Sequence, residues 1–574
     1  MRVALAQINP TVGDIPNNAR KILDFAARAR QSGADLVVFP ELSLLGYPPK
    51  DLLLKPQFID DSLAALDDIA RQSADIDVLV GYAQPNHAAV GRPLLNAMAL
   101  LRGGRVASKH FKTLLPTYDV FDESRYFEPG PTTASGSPVG NLIDFAGTQL
   151  GISICEDLWN DERLISRRLY HQNPIADLHA AGADMMINAS ASPYVVGKQR
   201  FREELFCSQV ARFGKPLVYV NQVGGNDDLV FDGNSMVFDA SGRLVLKLAD
   251  FAEDLQTVDL ATLPPPITTH TTSIDDLESI FKALVLGLTD YTRKTGFKSA
   301  VIGLSGGIDS ALVCALAVAA LGSENVVGVA MPSRYSSDHS INDAKLLAES
   351  LNISFTVLPI APMHNAFEAE LTAQFKHLGL RHSTLPDDLA EQNVQARIRG
   401  VTLMAISNKF NHLLLTTGNK SEIATGYCTL YGDMCGGLAV ISDVPKTTVW
   451  ALSRWINTLP PAVRATRLPS VTPIIPINTI EKVPSAELKP NQTDQDSLPP
   501  YDLLDQILHR YIDEEKGARQ IIAEGFDATT VNRIIRMVDR SEYKRRQAAP
   551  GIKVTTRAFG TGRRMPIAQN YKQG

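Results

Sequence analysis

The chain lacks the marks of several classes. It has no excess of basic charge: 56 Lys and Arg against 62 Asp and Glu leave a formal net charge of −6. Neither nucleic acid nor an anionic membrane therefore has an electrostatic footprint to meet. It has no long apolar run. The apolar stretch within residues 1–10 is too short for a signal h-region, and none approaches the ~18–20 residues of a membrane span. Its five cysteines (155, 207, 314, 428 and 435) are odd in number and never spaced C-x-x-C. That argues against a disulfide framework or a zinc site and fits a reducing cytoplasm. There is no internal repeat, and the histidines fall into no ligand or triad spacing.

What is present is an ordinary soluble composition, 44% hydrophobic and 21% charged, which predicts a soluble intracellular protein. At 574 residues the chain is long for one core, and its length alone predicts either two large domains or three or four smaller ones. Residues 263–273, Leu-Pro-Pro-Pro-Ile-Thr-Thr-His-Thr-Thr-Ser, have no apolar period and read as a linker between domains at 1–262 and 274–574. Before it, strands are expected at 2–8, 35–39, 76–82, 95–101, 105–109, 149–154, 184–188 and 217–221, with helices at 17–31, 60–71 and 198–213. Arg102-Gly103-Gly104 is a hairpin signal, so part of that sheet is expected to be antiparallel. After it, a helix at 274–295 precedes strands at 300–304, 325–331 and 355–359, alternating with helices at 309–322 and 340–351. Such alternation predicts a doubly wound parallel sheet, with ligands at the C-terminal strand ends. Residues 483–500 read as a mobile excursion, and the basic tail 543–574 has no periodicity.

Two segments carry chemistry. Residues 303–310 read Gly303-Leu304-Ser305-Gly306-Gly307-Ile308-Asp309-Ser310, between an apolar strand and a helix. Glycines let the main chain approach a ligand, and the open N–H groups of the first helical turn favour an anion. The mononucleotide P-loop has a Lys before its last Ser or Thr. Here Asp309 stands instead, which suggests phosphate held together with a metal. Ser-Gly-Gly-Ile-Asp-Ser resembles the pyrophosphate-binding loop of the ATP pyrophosphatases, which activate a substrate by adenylylation. The second segment is Gly-Ile-Ser-Ile-Cys155-Glu-Asp, where a buried strand ends. A thiol on such a turn is exposed to substrate and has the next N–H as an oxyanion donor. A lone cysteine is more often a buried small hydrophobe, and a lone Glu or Lys a solvated charge. Glu41 after strand 35–39 and Lys112 after strand 105–109 change that balance.

Phe-Pro-Glu-Leu-Ser (39–43), Lys-Thr-Leu-Leu-Pro (112–116) and Ile-Cys-Glu-Asp (154–157) together resemble the nitrilase (carbon–nitrogen hydrolase) superfamily, over most of residues 1–260. The resemblance implies an α-β-β-α sandwich with Cys155 as nucleophile, Glu41 as base and Lys112, with the Glu156 N–H, as oxyanion donor. Glu123 corresponds to the second glutamate that orients the site, and Tyr118, Ser192 and Lys198 to glutamine-binding groups. A thiol of pKa ~8.5 needs both a base and a cation at neutral pH, which suits this set. Leu114 departs from the pattern, standing where many members have His.

Residues 273–574 resemble the NAD synthetases through the loop, Met331-Pro-Ser-Arg, Glu391-Gln-Asn-Val-Gln, Thr416-Thr-Gly-Asn-Lys-Ser-Glu422 and Lys544-Arg-Arg-Gln. With the nitrilase-type half, the whole resembles the glutamine-dependent members of that family. They adenylylate deamido-NAD with ATP as co-substrate, let ammonia displace AMP, and pass that ammonia through the protein. The resemblance gives residues 303–310 and Thr417 to ATP, Asn393, Glu422 and Lys544 to deamido-NAD, and Asp309 with Glu422 to Mg2+. Lys544 and Lys553 are read as cations for an acidic loop region, and 426–443 and 483–500 as loops over ATP. A homo-oligomer, dimer or larger, is implied, with no nucleic-acid or membrane partner. Three rivals stay open. A GMP or asparagine synthetase shares the loop but pairs it with other glutaminase types. A tRNA-thiolating enzyme calls for a basic face and paired sulfur-carrying cysteines. A degenerate first domain would be a binding module, though Glu41, Lys112 and Cys155 are all present.

Overall fold

The computed structural model describes every residue except 133–139, 162, 164–168, 268–274, 379–388, 460–466, 491 and 574. Most of the expected linker, and the first residue of the helix expected at 274–295, lie outside the described residues. The chain divides into two compact units, Met1–Asp276 and Leu277–Gly574.

The first unit holds two six-stranded sheets. One runs in the order Asp254–Asp259, Arg2–Gln7, Leu36–Val38, Asp77–Pro85, Leu94–Arg102, Arg105–Phe111. The other runs Leu244–Lys247, Met236–Phe238, Leu217–Asn221, Met185–Ser190, Thr148–Ile154, Leu142–Phe145. Alternation along the strands sorts the side chains into layers. Val3, Leu5, Leu36, Val38, Met98 and Leu100 pack with Ile152, Ile154, Ile187 and Val218 between the sheets. Their neighbours Ala4, Ala6, Val37, Ala97 and Ala99 turn to the other side, onto helices Ile15–Gln31 and Pro56–Gln72. The second sheet is backed in the same way by Pro174–Ala180 and Lys198–Phe213. The result is an α-β-β-α sandwich. Its hairpin at Gly103-Gly104 has both glycines at positive φ, and its flanking strands are antiparallel.

Sequence patterning missed Leu142–Phe145 and the run of strands from Val223–Asn226 to Asp254–Asp259. These are three to six residues long. Glycines at positive φ (Gly224, Gly233, Gly242) break the alternation between and within them.

The second unit is built on a five-stranded parallel sheet, in the order Ser354–Val357, Val326–Ala330, Ala300–Gly303, Leu413–Thr416, Leu438–Ala439. The chain first winds one way from Ala300–Gly303 and then returns to its other side at Leu413–Thr416. The loops leaving those two strands therefore flank a topological switch point. A separate helical core joins Tyr501–Leu508, Ala518–Ala523 and Ala528–Arg540.

One reading is corrected here. Residues 483–488 are not a free excursion but pack along a cavity, with Glu487 bonded to Lys482, Ser337 and Ser340. The segment after Lys544 lacks periodicity because it is irregular, and Ile552, Lys553 and Val554 within it are buried. Asp443 accepts the Val554 and Thr555 N–H groups at 2.8 and 2.7 Å, and the Lys420 ammonium reaches Thr555 Oγ1 at 2.6 Å. Main-chain pairing with a distant turn carries no sequence period.

Candidate active sites

In the first unit, Glu41, Lys112, Cys155 and Glu123 are all buried, each just past a strand or in the loop that follows it. The Glu41 turn lies on Gly81, where a Cβ would meet Leu42 N at 2.3 Å, so this strand position has room only for glycine. Cys155 occupies left-handed backbone, φ +44°, the sharp turn that lifts a nucleophile off its strand. Lys112 Nζ donates to Glu41 Oε1 at 2.7 Å and to both Glu123 oxygens at 2.8 Å. Burial alone would lower the Lys112 pKa, but Glu123 and Glu41 more than offset it and hold the ammonium. Burial raises Glu123 to about 7 against the opposing pull of Lys112. Burial, and after it the neighbouring Glu41, hold the Cys155 thiol well above its usual range. The resting nucleophile is thus a thiol, with an acceptor and a cation beside it.

The binding groups expected from the sequence surround this set. The Tyr118 hydroxyl donates to the Glu156 carboxylate, 3.0 Å from both oxygens. Lys198 lies near that carboxylate, donates to the Pro193 carbonyl at 2.9 Å and sits 5.0 Å above the Trp159 ring. Ser192 is buried, and the Ala191 N–H before it donates to Glu41 Oε2 at 3.0 Å.

Three groups went unnoticed in the sequence. Asp157, quoted there without a role, accepts the N–H groups of Ile154, Thr113 and Leu114 at 2.8–3.0 Å. Tyr47 donates to Glu123 Oε1 at 2.8 Å. Asn96 donates to Glu41 Oε1 at 2.7 Å. Its only signal was one polar residue inside an apolar strand.

In the second unit, a cavity of about 290 Å³ opens at the switch point. Residues 303–310 line it except Gly306, which turns at φ +75° against Ser340, where a Cβ would fall 2.3 Å from the carbonyl oxygen. Ser305 and Ser310 brace the loop: the Ser305 N–H donates to Ser310 Oγ at 3.3 Å, and the Gly307 N–H to Ser305 Oγ at 3.2 Å. Thr417 and Glu422 also line the cavity. Asn393 and Lys544 are not among its lining residues. Asn393 instead accepts from Thr429 Oγ1 at 2.9 Å, and the Lys544 ammonium rests on the Gly426 and Cys428 carbonyls at 2.8 and 2.7 Å. Lys553 donates likewise to the Thr555 and Thr556 carbonyls.

The cation beside the loop is Lys446, which the sequence reading passed over although a Pro-Lys pair opens its helix. Its buried ammonium forms a short ion pair with Asp309 and lies 3.4 Å from Glu422 Oε1. Asn419 donates to Asp309 Oδ1 at 2.8 Å and accepts the Glu422 N–H at 3.0 Å. Burial, and then Asp309, raise Glu422 to about 8 despite Lys446. Two oxygen donors that converge on one cation, beside open helix N–H groups, suit a hard divalent ion carrying a polyphosphate.

Comparison with known proteins agrees with this division. Residues 2–262 match the carbon-nitrogen hydrolase family model, and 280–548 match that of NAD synthase. The chain is 48% identical to the glutamine-dependent NAD(+) synthetase of Synechocystis sp., covering 99% of each, and 41% identical to that of Thermotoga maritima, over 100% of this chain and 99% of the relative. A solved structure of the glutamine-dependent NAD+ synthetase from Acinetobacter baumannii in complex with adenosine diphosphate is 39% identical, with a TM-score of 0.75 over 99% of this chain and 98% of that one. With two sites of this chemistry and relatives this similar along its whole length, the chain belongs to the glutamine-dependent NAD(+) synthetase family.

Proposed function

We propose that the chain amidates deamido-NAD to NAD at the expense of ATP, with ammonia released from glutamine in the first unit. The observation that carries this reading is the pairing, in one chain, of a buried Glu41–Lys112–Cys155 set with a loop that ends in Asp309 on a helix N-terminus. Because the thiol rests protonated, attack on the glutamine carboxamide requires Glu41 to take its proton as the C–S bond forms. Lys112 and the Glu156 N–H stabilise the oxyanion, and Glu41 returns the proton to the departing ammonia. Water activated by Glu41 then cleaves the thioester and frees glutamate. Glu123 keeps the ammonium placed. Lys198 suits the substrate α-carboxylate, with Tyr118 and Ser192 alongside.

In the second unit, the loop 303–310 and Thr417 hold ATP, while Asn393, Glu422 and Lys544 serve deamido-NAD. The nicotinate carboxylate displaces pyrophosphate from the α-phosphorus. Ammonia then attacks the acyl adenylate and AMP leaves. Asp309 and Glu422 would hold Mg2+, which neutralises triphosphate charge when bound. Lys446 is placed to meet the same phosphates. The second domain is taken as 274–574, the first as 1–262, and the enzyme as a cytoplasmic homo-oligomer. The test is NAD formation from ATP, Mg2+ and deamido-NAD. Wild-type chain should yield NAD and AMP with glutamine or ammonium, whereas Cys155→Ala should lose the glutamine-driven reaction and keep the ammonium-driven one. No NAD from either source overturns the reading.

A further inference from the structure

We infer that Asn96 is a positioning residue of the glutaminase site, its amide N–H2 bridging the two carboxylates that share the Lys112 ammonium. The inference rests on the glutaminase reading above. Asn96 is 1% exposed, on the strand Leu94–Arg102. Its Nδ2 lies 2.7 Å from Glu41 Oε1 and 3.5 Å from Glu123 Oε2. Its carbonyl oxygen accepts the Lys112 N–H at 2.9 Å. One residue thus fixes the side chain of the base and the main chain of the cation.

Charge balance explains why the group is neutral. Glu41 and Glu123 face one ammonium, and Cys155, Tyr47, Glu156, Asp157, Tyr118 and Tyr170 are titratable groups that also act on this set. Once the thiol gives up its proton, a further acid would add repulsion, and a further cation would compete with Lys112 for the same oxygens. An amide supplies two N–H donors and no charge. Its orientation follows from the same partners, since an amide oxygen turned toward two carboxylates would meet only lone pairs. Asn96 Oδ1 is buried and finds no hydrogen-bond partner among the described residues. An open acceptor beside the base is costly in a core and is suited to an N–H or O–H of the reacting groups.

The experiment is glutamate release from glutamine by the full chain, as kcat/KM against pH, for wild type, Asn96→Asp and Asn96→Leu. A carboxylate pair that loses its donor binds a proton more readily, so the acid limb should move to higher pH. We expect a loss of ~10-fold for Asn96→Leu and ~100-fold for Asn96→Asp near neutral pH, partly recovered at alkaline pH. Circular dichroism and a thermal unfolding curve that match wild type check that the first unit of each variant is folded, and ammonium-driven NAD formation does the same for the second. A uniform loss at every pH, or a wild-type profile in both variants, overturns the positioning role. A wild-type chain that releases no glutamate sinks the glutaminase reading itself, and the positioning role with it.

Discussion

The Asp157 carboxylate ties the Cys155 turn to the residues after Lys112 through three main-chain N–H groups. Burial holds its carboxyl up at about 7, against ~3.9 in an unfolded chain. The folded chain therefore binds this proton more tightly than the unfolded one. The stabilising contribution is present at low pH and is lost as pH rises from about 4 to about 7. Asp157→Asn cannot titrate. Urea unfolding between about pH 4.5 and about pH 7.5 should therefore fall more steeply in wild type than in the variant, by at most ~1.4 kcal/mol per pH unit. Parallel slopes would remove Asp157 from the account. At this scale the sequence pointed to Glu41, Lys112 and Cys155 just past strands and to Asp309 in the first turn of a helix. It concealed Asn96 and Lys446, whose partners lie 55 and 137 residues away. A side chain's neighbours across a sheet leave no mark in its own segment.

Among the elements, the strand–loop–helix at 300–321 joins a strand paired on both sides to a helix that is buried almost throughout. Gly306 is the point where this unit cannot yield: a Cβ there would strike the Ser340 main chain, and φ is positive. Gly306→Ala should therefore lower NAD formation by ~100-fold with either nitrogen source, since a misplacement of about 1 Å in a loop that positions reacting groups is that costly. Glutamate release should persist. If the variant makes NAD at the wild-type rate, the close approach does not hold in the working enzyme. Long apolar strands, such as Leu94–Arg102, were legible to within two residues. The short strands between 223 and 259 were not, because glycine turns and a polar edge erase the period of two. The strap at 483–488 was misread for a related reason: it is held by an ion pair and side-chain bonds through Glu487, which composition does not encode.

For the whole molecule, the two chemistries draw on separate residue sets, one on thiol, carboxylate and ammonium, the other on a carboxylate pair suited to a metal. Chelation with EDTA should therefore abolish NAD formation from both nitrogen sources and leave glutamate release above half its untreated rate, a difference well below 1 kcal/mol. Glutamate release that collapses together with NAD formation would show that the first site depends on an occupied second one.

The bonds between Lys420, Asp443 and residues 554–555 also bear on how this protein is made. Lys420 sits two residues before Glu422, at the foot of the turn that presents it, and its hydroxyl partner Thr555 comes 135 residues later. On a ribosome the loop 303–310 and the central strands emerge long before the segment that steadies the Glu422 turn. The first unit can fold during synthesis, while the second stays incomplete until that late segment arrives. A chain cut short ahead of residue 551 would keep the loop 303–310 and the Thr416–Glu422 turn and still lack the brace beneath Glu422.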